Sequence, residues 1–418
     1  MLRCSRGDRT RRTPPRGGAP GLTLRVLHTA DWHLGDRLGG IDRLPDQLAR
    51  LGELVVCAEQ RRVDVLLVCG DVLEERRPER LAAIVSRLGD LLAPSVALGM
   101  QCVFLAGNHD SAHTFELLQG VQHLLGEDGA ERVRFVGRPD VVPLAARGGE
   151  VAAALVALPY PSAAAYPVEA EPRSIDDKRA LLSEAVAASS ERLSARARRE
   201  HPGVPLLMAG HFLLQHVAAP TGLREVAESE DVHVEDAHLE QFAYVALGHV
   251  HQPLALAEHV RYSGALDRVD FGEAGEPRQA VLVEIGDDGA LAVEELPLDA
   301  TPLEHVEAGA LGEIAEAAQA LAEPQRAIVK LALRLGRADA ASLWLAEARR
   351  SFPRLYSPPD LIRLDEPDPP LLTGEVEHAG PTQTVRAFLA DQLAEDPDRA
   401  ELLELAEALL GEKRLLGR

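Results

Sequence analysis

The segment that decides the fold is residues 24–35, LRVLHTADWHLG, in which an apolar run ends in an acid and a histidine. A short apolar run that is closed by turn residues is typical of a strand buried on both faces of a sheet. Asp31 and His33 stand two positions apart just past this run, so both side chains can enter one cleft. The segment therefore predicts a buried strand with ligand groups at its carboxyl end.

Four later apolar runs end in the same way, with polar side chains beside a glycine that lets the backbone turn sharply. Their endings are Gly70-Asp71, Gly107-Asn108-His109-Asp110, Gly210-His211 and Gly248-His249-Val250-His251. Each ending alone would be an ordinary turn. Because ligands of open α/β sheets gather outside the carboxyl ends of the strands, five such endings in order predict one shared site.

Apolar runs and helical patterns alternate along the chain, which indicates an α/β fold with a largely open sheet. The predicted buried strands are Leu24–Thr29, Val63–Cys69, Cys102–Ala106, Leu206–Ala209 and Phe242–Leu247. The predicted helices are Leu44–Glu59, Pro78–Leu92, Thr114–Leu125 and Ile175–Glu200. Four further runs predict a second sheet: Val141–Pro143, Val151–Leu158, His259–Ser263 and Gln279–Ile285.

Changes of pattern divide the chain into five predicted regions. Residues 1–23 form a basic tail that we expect to be disordered, and residues 24–300 carry all five site motifs. Residues 301–365 predict a small βαβαβ unit with its own core. A Pro-rich linker follows at residues 366–380, and residues 381–418 predict two amphipathic helical segments. These segments either pack as a hairpin on their own domain or dock on a partner helix.

Composition narrows the possible partners and the compartment. The 418 residues carry a net charge of −22, which disfavours nucleic acid because phosphate binding depends largely on Lys and Arg. Aromatic residues make up 4%, which disfavours a long base-stacking groove. No run is long and apolar enough to span a bilayer. The cysteines show no paired spacing, which predicts free thiols in a reducing cytoplasm: Cys4, Cys57, Cys69 and Cys102.

The donors at the five strand ends form a set of metal ligands. Apart from His109, they are two carboxylates, one amide and four imidazoles, which is enough for two divalent cations. Mixed oxygen and nitrogen ligands disfavour magnesium and suit manganese, iron or zinc. The set contains no cysteine, which argues against a structural zinc site. A pair of metals in a strand-end cleft is suited to attack on phosphate esters.

These motifs resemble those of the calcineurin-like metallophosphoesterases, and among them the SbcD-type nuclease subunits of bacterial DNA double-strand-break repair. The match is carried by residues 28–35, HTADWHLG, by the four later endings, and by Tyr262-Ser263-Gly264-Ala265-Leu266 with Asp270-Phe271-Gly272-Glu273. The resemblance implies a four-layer αββα metallophosphoesterase sandwich at residues 24–300. It also implies a small α/β capping domain at residues 301–365 and C-terminal helices that bind a partner.

The resemblance further implies which residues hold the metals. The first metal would be held by Asp31, His33, Asp71 and His251. The second would be held by Asp71, Asn108, His211 and His249. Manganese is the implied metal.

Four more residues near these motifs have implied or open roles. His109 would act on the phosphate or on the departing oxygen. Asp110 would either orient His109 or simply cap a turn. His28, on the first strand, would support the ligands from behind. Glu74 departs from the pattern, because some relatives have histidine or aspartate there, and its role stays open.

The function implied by the resemblance is a metal-dependent DNA nuclease that acts on duplex ends and hairpins as exonuclease and endonuclease. Its implied partner is an SMC-like ATPase of the SbcC type, bound through the C-terminal helices. A homodimer formed by residues 78–92 or 114–125 would complete a heterotetramer in the cytoplasm, at the nucleoid. One alternative is a two-metal phosphodiesterase for small nucleotides, which the acidic surface favours. The other, a non-catalytic scaffold, is disfavoured because no ligand position is missing.

Overall fold

The computed structural model describes residues 23–124, 132–168, 172–215, 217, 232–235, 239–336 and 339–364. The predicted basic tail up to residue 22, the linker at residues 366–380 and the helical segments at residues 381–418 lie outside these residues. The chain divides into one compact unit of residues 1–333 and 340–361 and another of residues 334–339 and 362–418. All the predicted site residues belong to the first unit.

Strands and helices alternate as predicted. The described strands are β1 (Thr23–Thr29), β2 (Arg37–Leu38), β3 (Ile41–Asp42), β4 (Val65–Cys69), β5 (Gln101–Leu105), β6 (Val133–Val136), β7 (Asp140–Ala145), β8 (Val151–Leu158), β9 (Leu206–His211), β10 (Leu213–Leu214), β11 (His233–Val234), β12 (Tyr244–Gly248), β13 (Leu254–Ala255), β14 (Val260–Tyr262), β15 (Arg278–Gly286), β16 (Leu291–Leu298), β17 (Leu303–Ala308), β18 (Ile328–Leu335) and β19 (Asp360–Arg363). The described α-helices are α1 (Leu44–Gln60), α2 (Pro78–Ala97), α3 (Ala112–Leu124), α4 (Ile175–Glu200), α5 (Leu311–Ala320) and α6 (Ala341–Ser351).

One sheet has six strands in the order β16-β15-β1-β4-β5-β6. Strands β1, β4, β5 and β6 run parallel, whereas β15 pairs antiparallel with β1 and places Val283 opposite Val26. The prediction that Gln279–Ile285 belongs to the second sheet is therefore wrong. Both faces of this run are apolar, as they are in central strands of either sheet, so its pattern does not specify its neighbour.

The second sheet also has six strands, in the order β13-β14-β12-β9-β8-β7. Strands β8, β9, β12 and β14 run parallel to one another. Gly248 at the end of β12 lies opposite His211 at the end of β9. Two of the predicted site motifs are thus neighbours at the carboxyl ends of adjacent strands in this sheet.

The two sheets pack face to face with helices on both outer sides. In β4, Val65 and Leu67 belong to the core between the sheets, together with Leu155 and Leu207 of the second sheet. Leu66 of the same strand belongs to the core under helices α1, α2 and α3, because alternate residues of a strand point to opposite faces. Helix α4 covers the outer face of the second sheet. This four-layer αββα sandwich confirms the predicted fold class.

Helix α4 has the predicted bounds, Ile175–Glu200, because both of its ends carry local signals. The Ser174 side chain accepts a hydrogen bond from the Asp177 N–H at 3.0 Å, which caps the first turn. Arg198 and Arg199 lie in the last turn, where positive charge interacts favourably with the helix dipole.

The small unit predicted after residue 300 has the expected element order, β17-α5-β18-α6-β19. Strands β17 and β18 pair in parallel, with Leu303 opposite Ile328. These two residues pack with Leu38 and Phe271 of the sandwich in a small apolar core. The boundaries of the capping domain stay predictions.

The predictions that the cysteines form no disulfides and that no segment spans a membrane can be compared with the described residues. Cys57, Cys69 and Cys102 are buried, and none of these three forms a disulfide. Within the described ranges, every helix is too short or too polar to traverse a bilayer.

Candidate metal centre

Backbone hydrogen bonds tie the carboxyl ends of β1 and β4 together. The Asp31 N–H donates to Gly70 O at 3.0 Å, and the His33 N–H donates to Asp71 O at 2.9 Å. Asp31, His33 and Asp71 have φ angles of 52°, 44° and 51°, and His249 has a φ angle of 88°. Left-handed backbone is uncommon for residues other than glycine, and it persists at functional sites where the surrounding structure enforces it. Of the five described non-glycine residues with such a backbone, four are at the site, and the fifth is Arg62.

The four glycines of the later motifs, Gly70, Gly107, Gly210 and Gly248, leave no room for a side chain. A Cβ at Gly70 would lie 2.0 Å from His211 Nδ1, and a Cβ at Gly107 would lie 2.1 Å from Asp71 Oδ1. Both distances are far below any ordinary contact between heavy atoms. Glycine at these positions therefore allows the backbone of one strand end to approach a ligand from another.

One group of donors comprises Asp31, His33 and His251, whose ligand atoms lie within 4.8 Å of one another. The Nε2 atoms of His33 and His251 are 3.2 Å apart. Glu74 Oε2 lies 3.2 Å from His33 Nδ1, and Glu273 Oε1 lies 2.7 Å from His251 Nδ1. A carboxylate on the outer ring nitrogen fixes the tautomer and directs the inner nitrogen at a metal.

A second group comprises Asp71, Asn108, His211 and His249. His211 Nε2 lies 3.3 Å from Asp71 Oδ2 and 3.0 Å from Asn108 Oδ1. His249 Nδ1 lies 3.1 Å from the same Asn108 oxygen. His211 Nδ1 donates to Cys69 O at 2.7 Å, so its Nε2 is the nitrogen that faces the group.

Asp71 lies between the two groups. Its Oδ2 is 3.3 Å from His211 Nε2 and 3.7 Å from His33 Nε2, so one carboxylate can reach cations in both. Its other oxygen, Oδ1, accepts a hydrogen bond from the backbone N–H of His109 at 2.8 Å. The structure thus brings together all the predicted ligands: Asp31, His33, Asp71, Asn108, His211, His249 and His251.

The charges of the cluster favour a positive charge at its centre. Burial acts to lower the pKa of His33, but the hydrogen bond to Glu74 and the charge of Asp71 raise it to about 10. Burial also acts to lower the pKa of His211, but the charge of Asp71 raises it to about 9. Burial acts to raise the pKa of Asp71, yet His211 and His33 hold it well below its usual value. Buried acids and imidazoles with these preferences fit divalent cations that accept mixed oxygen and nitrogen ligands.

His109 lies at the partly exposed rim of the cluster. Its ring centroid is 4.8 Å from that of His33, and its Nδ1 lies 2.6 Å from Glu74 Oε2. The hydrogen bond with Glu74 raises the pKa of His109. Burial acts to raise the pKa of Glu74, but His109 and His33 lower it to about 2. Glu74, whose role the sequence left open, is therefore a carboxylate shared by His33 and His109.

Asp110 is a buried carboxylate that joins two loops of the site. Its Oδ2 accepts the N–H groups of Val72 and Gly107 at 3.1 and 2.8 Å, and its Oδ1 accepts the Leu73 N–H at 2.9 Å. Of the two predicted roles, these contacts match the capping of turns rather than the orientation of His109.

His28 lies behind the ligands and joins the two sheets. Its Nδ1 is 2.9 Å from the Tyr244 hydroxyl, and its Nε2 is 3.2 Å from Leu247 O, both on β12. Burial lowers the pKa of His28 to about 3, so the ring is neutral. These contacts join β1, which leads to Asp31, to β12, which leads to His249, and the supporting role of His28 stays a prediction.

Glu273 and Arg278 are supporting residues that the sequence did not predict. Glu273 Oε2 pairs with Arg278 Nη2, and Arg278 Nη1 donates to His251 O at 3.0 Å. Burial acts to raise the pKa of Glu273, but His251 and Arg278 lower it to about 2. One buried ion pair thus holds both the ring and the backbone of His251. The only sequence signal for these two residues was the motif at residues 270–273, which did not indicate that Glu273 contacts a metal ligand.

The fold and the donor set together define an α/β metal-dependent hydrolase whose site lies where the ends of two sheets meet. A model of the calcineurin-like phosphoesterase family matches residues 24–253. The chain belongs to the calcineurin-like phosphoesterase family.

Several curated bacterial proteins are similar to this chain. The SbcD subunit of the nuclease SbcCD from Rhodobacter capsulatus is 32% identical over 295 residues, which cover 66% of this chain and 69% of that protein. The corresponding subunit from Bacillus subtilis is 30% identical over 271 residues, with 62% and 66% covered. That from Escherichia coli K12 is 25% identical over 293 residues, with 66% and 69% covered. The resemblance to SbcD-type subunits is confirmed.

Proposed function

We propose that this chain is the nuclease subunit of an SbcCD-type complex and hydrolyses phosphodiester bonds of DNA at duplex ends and hairpins. The observation that carries the proposal is the position of Asp71 Oδ2, 3.3 Å from His211 Nε2 and 3.7 Å from His33 Nε2. A carboxylate that reaches two groups of imidazoles suits a two-metal site, and such sites act on the attacking and departing oxygens of phosphate esters. The relatives that share the family are subunits of nucleases.

The cations that we propose are two manganese ions. Mixed carboxylate, amide and imidazole ligands disfavour magnesium, and among manganese, iron and zinc the resemblance to SbcD-type subunits implies manganese. When bound, such a pair neutralises the phosphate and lowers the pKa of water towards neutrality. The residues that would hold one ion are Asp31, His33, Asp71 and His251. The residues that would hold the other are Asp71, Asn108, His211 and His249. The chain itself contributes the fixed orientation of the rings, through Glu74, Glu273 and Cys69 O.

His109 is the residue that we propose acts on the departing oxygen. Its Nδ1 is engaged by Glu74 at 2.6 Å, which leaves Nε2 for the substrate. The hydrogen bond to Glu74 raises the pKa of His109, which favours the protonated ring, the form that can donate a proton. The backbone N–H of His109 donates to Asp71 Oδ1 at 2.8 Å, which holds this residue beside the ligands. General acid catalysis of this kind contributes about 10²–10⁴-fold in rate.

The partner that we propose is an SMC-like ATPase of the SbcC type, because the relatives are subunits of nucleases named SbcCD. Residues 381–418 are the proposed docking segment, since their apolar positions recur at helical spacing. A homodimer through α2 or α3 would complete a heterotetramer at the nucleoid in the cytoplasm. A basic partner would also supply the DNA-binding charge that a chain of net charge −22 lacks.

Cleavage assays on different substrates test the proposal. Full-length protein should be purified from its native host, with and without residues 381–418, and supplied with manganese. We expect the full chain to co-purify with a large ATPase and to cut linear duplex and hairpin DNA, and we expect the truncated chain to lose the ATPase. Hydrolysis of cyclic nucleotides with no cleavage of DNA in either preparation would overturn the proposal in favour of a small-substrate phosphodiesterase.

A further inference from the structure

A cavity of about 270 Å³ opens beside the metal-ligand groups. It lies between the start of helix α3 and residues 159–165, and Asn108 and Tyr160 are part of its lining. Asn108 Oδ1 also lies 3.0 Å from His211 Nε2 and 3.1 Å from His249 Nδ1. The cavity and the proposed metal site therefore share a wall.

Tyr160 lines the cavity and is also close to two of the ligands. Its ring centroid lies 5.9 Å from that of His249 and 6.2 Å from that of His211. Its backbone N–H donates to Ala106 O at 2.9 Å, which fixes the residue beside the end of β5. An aromatic ring in this position offers a stacking surface to a planar group whose phosphate lies at the ligands, and any base can use such a surface.

The rest of the lining suits a nucleoside. Phe115, Pro159 and Ala165 provide apolar surface, while Gln119, Arg138 and two carboxylates add polar groups; the carboxylates are Asp110 and Glu116. Apolar walls with a few polar groups are typical of small-molecule sites, which have volumes from about 300 Å³ upward. The cavity, at about 270 Å³, is close to the lower end of this range, which is the size expected for one small group such as a nucleoside. The Arg138 side chain is 63% exposed, and its Nη2 lies 3.5 Å from Glu116 Oε1, so a neighbouring phosphate would compete with that carboxylate for it.

We propose that this cavity holds the nucleoside of the nucleotide being released, with its base against Tyr160 and its phosphate at the metal-ligand groups. The inference rests on the proposed function, because it takes the substrate to be a polynucleotide. A base in a duplex must leave its stack to enter such a pocket, and the free-energy cost of unstacking is smallest for an unpaired base. Frayed ends and hairpin loops would therefore be cut in preference to the duplex interior.

Binding of two small probes tests the pocket directly. Deoxyadenosine monophosphate and inorganic phosphate should be titrated calorimetrically into manganese-loaded full-length protein. We expect the nucleotide to bind at least about tenfold more tightly than phosphate, an effect of the size that stacking one base on an aromatic ring gives. Ala164→Trp, at an exposed position of the lining, should fill the cavity and abolish this preference without changing phosphate binding. Ala112→Trp should do the same from helix α3.

Ala163→Trp is the matched control, because Ala163 is exposed and adjacent in sequence but does not line the cavity. This variant should keep the preference for the nucleotide. Equal affinities for the two probes in the wild type, or an unchanged preference in both filled variants, would overturn the inference. A nucleotide preference in a protein that cuts no DNA would support the pocket while contradicting the proposed function. DNA cleavage without any nucleotide preference would contradict the pocket alone.

Discussion

Replacement of Gly248 by alanine tests whether the close approach of the two sheets builds the site. A Cβ at Gly248 would lie 1.9 Å from Cys69 O and 2.9 Å from Ala30 Cβ. Gly248 ends β12 in the second sheet, whereas Cys69 ends β4 in the first. The added methyl group would therefore push apart the strand ends that lead to His249 and to Asp71.

The size of the effect follows from the overlap. An ordinary contact begins at 3.4 Å, so relief of the clash with Cys69 O requires about 1.5 Å of movement. Misplacement of reacting groups by about 1 Å costs on the order of 10²-fold in rate. Because Cys69 O also accepts the hydrogen bond from His211 Nδ1 at 2.7 Å, the movement disturbs a ligand directly. Overpacking of a core in addition destabilises a fold by about 1–3 kcal/mol.

The assay is manganese-dependent hydrolysis of bis-p-nitrophenyl phosphate, with bound metal and thermal unfolding measured on the same samples. We expect Gly248→Ala to lose at least about 10²-fold in turnover and to bind metal more weakly, while remaining folded. Gly52→Ala is the control, because a Cβ at Gly52 in helix α1 meets nothing within 4 Å. It should keep full activity and gain roughly 0.5–1 kcal/mol of stability from its helix position.

One result would refute the reasoning. If Gly248→Ala keeps wild-type turnover and metal content, the sheets can separate at this point without moving the ligands. The close approach at Gly248 would then be a packing feature with no bearing on the site.

Four further predictions follow from contacts within the site. His109→Ala should keep its metals but lose about 10²–10⁴-fold in cleavage of linear duplex DNA, and wild-type activity would remove His109 from the mechanism. Asp71→Asn should weaken both metals, measured by equilibrium dialysis, because the ligand shared by both groups loses its charge; loss of only one metal would contradict the bridging role. Glu273→Gln should weaken metal binding by about 10–100-fold through loss of the charge that holds His251, whereas Glu276→Gln, which alters another partner of the same arginine, should not. Metal affinity should fall as pH is lowered from about 8 to about 6, because imidazoles must lose their protons to bind and the pKa of His33 is raised; an affinity independent of pH would contradict imidazole ligation.

Elements with local signals were predictable from the sequence. The apolar runs that precede the motifs form β1, β4, β5, β9 and β12. Helix α4 has its predicted bounds because Ser174 caps its start and arginines occupy its last turn. In each case the residues that determine the element lie within or beside it, so no knowledge of distant neighbours is needed.

Pairing between distant segments was not predictable in the same way. The run Gln279–Ile285 was correctly predicted as a strand but assigned to the wrong sheet. It pairs with β1, more than two hundred residues earlier in the chain. Because both of its faces are apolar, it would fit a central position in either sheet. The choice depends on which strand edge is left open once the early parallel strands have formed, and that is a property of the assembled fold.

The ligand residues were predictable because they directly follow the apolar runs in the sequence. The orientation of the histidine rings was not predictable. His33 and His251 face the cluster with Nε2 because Glu74 and Glu273 engage their Nδ1 atoms. These partners lie 41 and 22 residues away in the sequence, with no spacing rule that would connect them to a histidine. His249 differs, since its Nδ1 is the atom 3.1 Å from Asn108 Oδ1. An imidazole binds a metal through either nitrogen, so the sequence specifies only that a donor is present. The choice of nitrogen is set by whichever acceptor the fold places behind the ring, and the geometry of the metal centre is therefore determined as much by these acceptors as by the ligands.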